Sequence, residues 1–410
     1  MKKEFESLCY IANSPIPSRW ANSIQVMKMC NAFAKRGLKV ELVLPTFRTW
    51  ERTQLEKVND IWDFYGIEHN FRIKRFPHAT VCFKLISHDF FAASYAKLKG
   101  FDLVYTRDRP LVVSWLQRFG IPTIYESHYL MFESPYFRNE KKHVLKKINK
   151  RNCIGLVVIS QKAAGDYLDL GISENKILVV HDGVDLKILK SNLTKVDARK
   201  QLNLPLDKNI VCYSGHLYKG KGVEELLACA RLLPDILFIF VGGWEQDISE
   251  RKEEANKMGL KNAVFMGFVP NKDVPVYLFA SDILAMPQRS KTEHLGWMSS
   301  LKLFEYMAAS RPIIATDLPT IREVLKDNYN AILIKPDSAE ELAAAIKRLL
   351  ENTSLVEKIT RQAYRDVQEY SWEKRVEKIL EFANLICERK KCINHNQPQI
   401  TTDNHRLYQR

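Results

Sequence analysis

Several features are missing from this 410-residue sequence, and each absence removes a class of protein. Eight cysteines are scattered along it (Cys9, Cys30, Cys82, Cys153, Cys212, Cys229, Cys387, Cys392), and no two form a C-x-x-C pair. That pattern predicts reduced, mostly buried thiols rather than a disulfide framework or a zinc ribbon. No apolar run approaches the roughly 18 residues a membrane helix needs. The opening "MKKEFESLCYIANSP" breaks its short apolar run with acids, so it reads as a poor secretory signal and a good first strand. Neither G-x-x-x-x-G-K-[ST] nor a full G-x-G-x-x-G occurs, which disfavours an ordinary triphosphate site or a nicotinamide oxidoreductase. Histidines such as His143, His181, His216 and His294 lack ligand spacing, and no Asp-x-Asp sits convincingly after a strand. No metal is therefore expected. There is no nucleophile elbow, no Cys–His pair and no basic patch interleaved with aromatics, so no nucleic-acid partner is expected either.

What is present is globular. The chain is 46% apolar and 10% aromatic, and too long for one ordinary core, so two domains are expected. The net charge is +14. Residues 1–185 hold 28 Lys and Arg against 19 Asp and Glu, which is +9 of that excess. Such a surplus on its own suits nucleic acid, an anionic lipid surface or an acidic substrate, or simply solubility.

Short apolar runs alternate with amphipathic segments. Strands are predicted near 8–11, 40–44, 73–76, 102–105, 122–125, 156–159 and 177–180. "NSIQVMKMCNAFAKRG" is the clearest helix, with Ile24, Met27, Cys30 and Ala34 on one stripe and Gly37 as its stop. After a polar passage over 187–208, read as linker plus short helix, the pattern restarts. Strands follow near 210–214, 236–241, 263–266, 283–286, 312–316 and 331–334. This is α/β architecture: two Rossmann-like, doubly wound parallel sheets facing each other across a cleft. Ligands of such sheets sit at the carboxyl ends of the strands, so two facing edges suit group transfer. The expected divisions are a first domain over 1–190, a second over 191–372, a last regular helix over 373–390, and a disordered tail over 391–410.

Five stretches carry the chemistry. "YSGHLYKGKGVEELL" joins a strand to a helix through Gly215, Gly220 and Gly222, with Lys219 and Lys221 where a helix start would expose N–H groups. That suits a diphosphate, although a plain glycine-rich turn with surface lysines reads the same way. In "SSLKLFEYMAASRPIIATDLP", Leu303, Phe304, Met307 and Ala308 can pack inward and leave Glu305 facing the cleft. A carboxylate there can accept two hydrogen bonds from a vicinal diol such as ribose, or merely complement a helix dipole. "IPTIYESHYL" puts Glu126, Ser127 and His128 just past a strand, where His128 can bind a substrate hydroxyl or be a satisfied loop histidine. In "SPIPSRWANSIQ", Ser18 or Asn22 can cap a helix, or with Arg19 line an acceptor pocket. The basic amphipathic run 136–152 can lie on anionic headgroups or form a solvated helix face.

Taken in order, these stretches resemble the family 4 glycosyltransferases of the GT-B fold. "HDGVD" resembles the family's Asn-Gly-Val-Asp close of the first lobe, "YSGHLYKGKGVEELL" its phosphate loop, "SSLKLFEYMAASRPIIATDLPTIREVL" its donor signature, and "YSWEKRVEKIL" its closing helix. The resemblance implies a metal-independent enzyme without cofactor. It would move a sugar, with retention, from a UDP- or GDP-sugar to a glycan or lipid-linked acceptor in surface polysaccharide synthesis. The expected location is cytoplasmic, peripheral at the inner face of a membrane. It implies an acceptor-binding first domain, a donor-binding second domain and a closing helix packed back on the first, with His128, Lys221 and Glu305 as catalytic residues. The donor would meet Gly215, His216, Lys221, Trp297, Met298, Ser299, Leu301, Lys302, Leu303 and Glu305. The acceptor would meet Ser18, Arg19, Asn22 and His128. Two positions depart from the family. Trp297 stands where many members carry an acid eight residues before the glutamate, with Glu293 nearby but out of register. His216 stands where many carry arginine. These departures motivate an alternative, a degenerate sugar-nucleotide-binding partner subunit. The sugar, base, acceptor, linkage and oligomeric state are not written in the sequence.

Overall fold

The structure is a computed structural model. It describes residues 5–46, 55–77, 79–81, 84–86, 88–128, 145, 148, 149, 153–187, 193–290 and 297–395. Most of the basic run 136–152, Glu293, His143 and His294 lie outside the described residues, as does the chain from 396 onward.

The first lobe is built on β1 (Ser7–Ile11), β2 (Lys39–Pro45) and β3 (Arg72–Phe76), a short antiparallel hairpin β4 (Ala79–Val81) and β5 (Lys84–Ile86), then β6 (Leu103–Arg107), β7 (Thr123–Ser127), β8 (Cys153–Val158) and β9 (Ile177–Val179). Apart from the hairpin they form one parallel sheet in the order β3-β2-β1-β6-β7-β8-β9. The second lobe holds β10 (Ile210–Ser214), β11 (Leu237–Val241), β12 (Ala263–Gly267), β13 (Ile283–Met286), β14 (Ile313–Thr316) and β15 (Ile332–Ile334). Its parallel order is β12-β11-β10-β13-β14-β15. Every expected strand is present, some with shifted ends; the hairpin was not anticipated.

Central strands such as β10 and β11 are buried along their whole length, as helices on both faces require. Strand order reverses between β1 and β6 in one sheet and between β10 and β13 in the other. The loops leaving those strands splay apart and open a crevice at each switch point.

The last helix, Trp372–His395, runs past the expected end at 390. Trp372, Val376, Ile379, Ala383 and Ile386 belong to the core of the first lobe, although the helix follows the second in sequence. Two glycines allow the close approach. A Cβ on Gly155 of β8 would fall 2.3 Å from Phe382 Cε1, and one on Gly183 would fall 2.9 Å from Trp372 Cδ2. The Val184 N–H donates to the Tyr370 carbonyl at 2.9 Å, so the helix start is tied to the "HDGVD" crossing.

Candidate active site

The two crevices meet in one cleft of about 350 Å³. Its second-lobe wall begins where β10 ends. Gly215 has φ 123°, a backbone state that side chains rarely adopt, and a Cβ there would lie 2.8 Å from Lys302 Nζ. His216 and Lys221 follow along the same wall. Burial, with Lys302 and Lys221 nearby, pushes His216 down to about 4, so its ring is neutral at neutral pH.

The helix Leu301–Ala308 supplies the facing wall. Glu305 lies one turn in, and Asn271 Nδ2 donates to its Oε1 at 3.0 Å. Burial raises the Glu305 carboxyl above its ordinary range, against Asn271, Lys28 and Lys302. Lys302 extends its ammonium to 3.7 Å from the centre of the Tyr213 ring. Met298, Ser299 and Leu301 also line the cleft, and Ser299 Oγ accepts the Asp182 N–H at 2.8 Å.

Leu303 departs from expectation. Its side chain is buried in the second-lobe core, and its N–H already donates to the Ser300 carbonyl at 3.0 Å, so neither faces the cleft. The cause is helical period: Leu303, Phe304 and Met307 are the inward stripe that holds this helix on its sheet. Trp297 lines the cleft, and its indole N–H donates to Asp166 Oδ2 of the first lobe.

On the first-lobe wall, Ser18 and Asn22 line the cleft, but neither side chain caps the helix Ala21–Lys35. Trp20 occupies the N-cap. The Ser18 N–H donates to the Tyr65 hydroxyl at 2.8 Å, and its hydroxyl meets Ser23 Oγ at 2.9 Å. Arg19 grips Glu56 of its own lobe and Glu245 of the other, and its guanidinium lies 4.1 Å from the centre of the Phe268 ring. It already has two carboxylate partners without an acceptor.

His128 also lines the cleft, with both ring nitrogens engaged. Arg107 Nη2 lies 3.1 Å from Nδ1, and Nε2 contacts Glu126 Oε1. A guanidinium only donates, so Nδ1 is the acceptor and Nε2 carries the proton. Glu126 is buried and further held by Gln25 Nε2 at 2.8 Å, Arg375 Nη2 at 2.7 Å and the Tyr105 hydroxyl. Ligand atoms of Glu126, His128 and Asp182 lie within 4.8 Å of one another, a spacing a metal would accept. Arg375 already supplies cationic charge there, on Glu126 and 3.9 Å from Asp182.

Arg107, Asn271, Gln25 and Arg375 were not anticipated. Arg107 follows an expected strand at its carboxyl edge, so that rule could have found it. Arg375 sits in "SWEKRVEKIL", where a charged residue reads as solvated face; only the fold turns it inward.

A family model described as Glycosyltransferase Family 4 matches residues 23–188, and one described as Glycosyl transferases group 1 matches residues 194–366. An uncharacterized glycosyltransferase, MJ1069, of Methanocaldococcus jannaschii is 26% identical over 54% of this chain and 56% of its own length. The putative teichuronic acid biosynthesis glycosyltransferase TuaC of Bacillus subtilis is 29% identical over 47% of this chain and 46% of its own. The chain thus spans about half the length of the curated relatives it matches. Among solved structures, Anabaena Alr3699/HepE in complex with UDP superposes with a TM-score of 0.73 at 17% identity, covering 94% of this chain and 100% of that one. The same protein with UDP-glucose gives 0.69, at 17% identity, over 94% and 99%. Those likenesses establish the two-lobed fold. With a family 4 match on the first lobe, a group 1 match on the second and both arranged as in GT-B structures, this chain belongs to the family 4 GT-B glycosyltransferases.

Proposed function

We propose that the protein transfers a sugar from a nucleotide-diphosphate donor to an acceptor bound against the first lobe. One observation carries this reading: Lys221 and Glu305 face one cleft from two elements of the second lobe. A cation for the diphosphate and a carboxylate for the ribose hydroxyls are the two groups such a donor needs. The leaving diphosphate gains negative charge as the glycosidic bond breaks, so fixed cations there lower the barrier. The donor is a UDP- or GDP-sugar. UDP is favoured by the fold likeness to a protein solved with UDP and UDP-glucose. The reaction retains anomeric configuration and needs no metal. The acceptor is a glycan or glycolipid of a surface polysaccharide, in line with the teichuronic acid assignment of a relative.

No described helix is long and apolar enough to cross a membrane. The excess of positive charge in residues 1–185 supports peripheral contact with an anionic inner membrane face. A thermal-shift screen with UDP, GDP, ADP and their common sugars, followed by turnover assays, tests the reading. No stabilisation by any of them would end it. Trp297, tied to Asp166 where many members carry an acid, favours a second reading as a donor-binding partner subunit. Saturable donor binding with no transfer across a broad acceptor panel would select that one.

A further inference from the structure

Two ammonium groups share the second-lobe wall, and neither has an anionic hydrogen-bonding partner among the described residues. Lys221 comes from the phosphate loop and lies 5.1 Å from the centre of the Tyr218 ring. Lys302 comes from the helix that carries Glu305, and rests on the face of Tyr213. The absence of a side chain at Gly215 gives its Nζ room. Two like charges in a partly dry cleft are unfavourable until a multivalent anion joins them. His216 lines the same wall, neutral at neutral pH and stacked with Trp244 at 6.2 Å between ring centres, so it offers a phosphate no charge.

We infer that the Lys302 ammonium is the second cation that grips the donor's diphosphate, delivered from the ribose-binding helix to the cleft wall that Lys221 reaches from the phosphate loop. This rests on the donor-site reading above and goes beyond it. The resemblance implies Lys302 only as one of the residues the donor meets, whereas here its side chain is a phosphate ligand.

A linked consequence follows. Burial pulls the Lys302 ammonium well below the usual lysine range, and the Lys221 charge adds to the pull. Glu305 on its own helix and Cys212 on β10 oppose it. Tyr213, itself pushed well up by burial, presents a neutral ring, and His216 is uncharged. A bound diphosphate dianion raises the Lys302 value again. Between the free and bound values, donor binding therefore takes up a proton from solvent.

Calorimetric titration of the full chain with UDP, in two buffers of different ionisation enthalpy, reads both effects. The wild type should take up a fraction of a proton per UDP, changing with pH. Lys302→Met should bind UDP roughly 10- to 100-fold more weakly, the scale of one charge-assisted hydrogen bond, with the uptake gone. Its affinity for uridine, which lacks phosphate, should be unchanged. Lys302→Gln gives the same reading if the Met variant does not fold. Wild-type binding with unaltered affinity and proton uptake in the variants would overturn the inference. Failure of the wild type to bind UDP, GDP or ADP would instead overturn the donor site itself.

Discussion

Arg375 Nη2 lies 2.7 Å from Glu126 Oε1, so the last described helix closes a buried ion pair inside the first lobe. Burial alone would push Glu126 up, but Arg375, His128 and Arg107 outweigh it and hold the carboxyl well below its usual range. The Arg375 guanidinium also donates to the carbonyls of Val180 and His181, at the exit from the first lobe. Helix, crossing and His128 are thus one hydrogen-bonded unit. Arg375→Met should leave a buried carboxylate without its main counter-charge, costing about 3–5 kcal/mol near pH 7. A carboxyl depressed in the fold stabilises above its unfolded value and loses that contribution as pH falls through the folded value. The variant removes much of that depression. Urea unfolding should therefore show a smaller gap between wild type and variant at pH 4 than at pH 7. An equal gap at both would argue that lost packing, not charge, is the cause.

Glu305 presents the opposite case. Its carboxyl is raised, so it holds its proton more tightly in the fold than out of it. The folded state gains as pH falls through the raised value and loses as pH rises beyond the ordinary one. The ionised form is therefore a stability cost in the fold, kept for a ligand. Glu305→Gln should melt no lower than wild type without ligand, yet lose the thermal shift given by UDP or GDP. A variant that melts lower and still shifts with nucleotide would assign Glu305 a structural role instead.

The placement of Glu305 and Lys221 on the cleft was legible because each sits in a locally patterned stretch: an apolar helical stripe with one acid outside it, and glycines after a strand. The alternation of strands and helices disclosed both sheets for the same reason, since hydrophobic period is a local signal. The Arg375–Glu126 pair is 249 residues apart in sequence and left no local trace. Leu303 shows the reverse failure. A motif placed it in the site as part of a run, while helical geometry turns adjacent residues to different faces. Arg19 was expected among the acceptor contacts, while its partner Glu245 lies in the other lobe, beyond any local pattern.

Gly155 tests how closely the closing helix must lie. Gly155→Ala would drive a methyl into the Phe382 ring, whose nearest atom lies 2.3 Å from the Cβ position. Overpacking of this kind costs about 1–3 kcal/mol. Phe382→Leu should cost on its own through lost packing, and the double variant should be more stable than the sum of the two predicts. Chemical unfolding of all four proteins measures the coupling. Strict additivity would mean the helix shifts freely and its seat on β8 is not specific.

Arg19 joins the lobes at the cleft mouth through Glu245 and through the rings of Phe268 and Trp244, whose centres lie 4.1 and 5.1 Å from its guanidinium carbon, and these contacts differ in worth. Glu245 is 77% exposed, so that bridge is screened by solvent and contributes little. The contact with Phe268, whose ring centre is 4.1 Å from the guanidinium carbon, is partly desolvated and lies on the wall that also holds Val269 and Asn271. Glu245→Ala should therefore leave both melting temperature and nucleotide affinity within error of wild type. Arg19→Met should release the mouth, raise the radius of gyration seen by small-angle scattering, and raise the donor KM more than it lowers kcat. Phe268→Leu keeps the apolar wall but removes the π face, so it should reproduce a milder form of the same change. If instead Glu245→Ala opens the protein as far as Arg19→Met does, the exposed bridge and not the aromatic contact holds the lobes together.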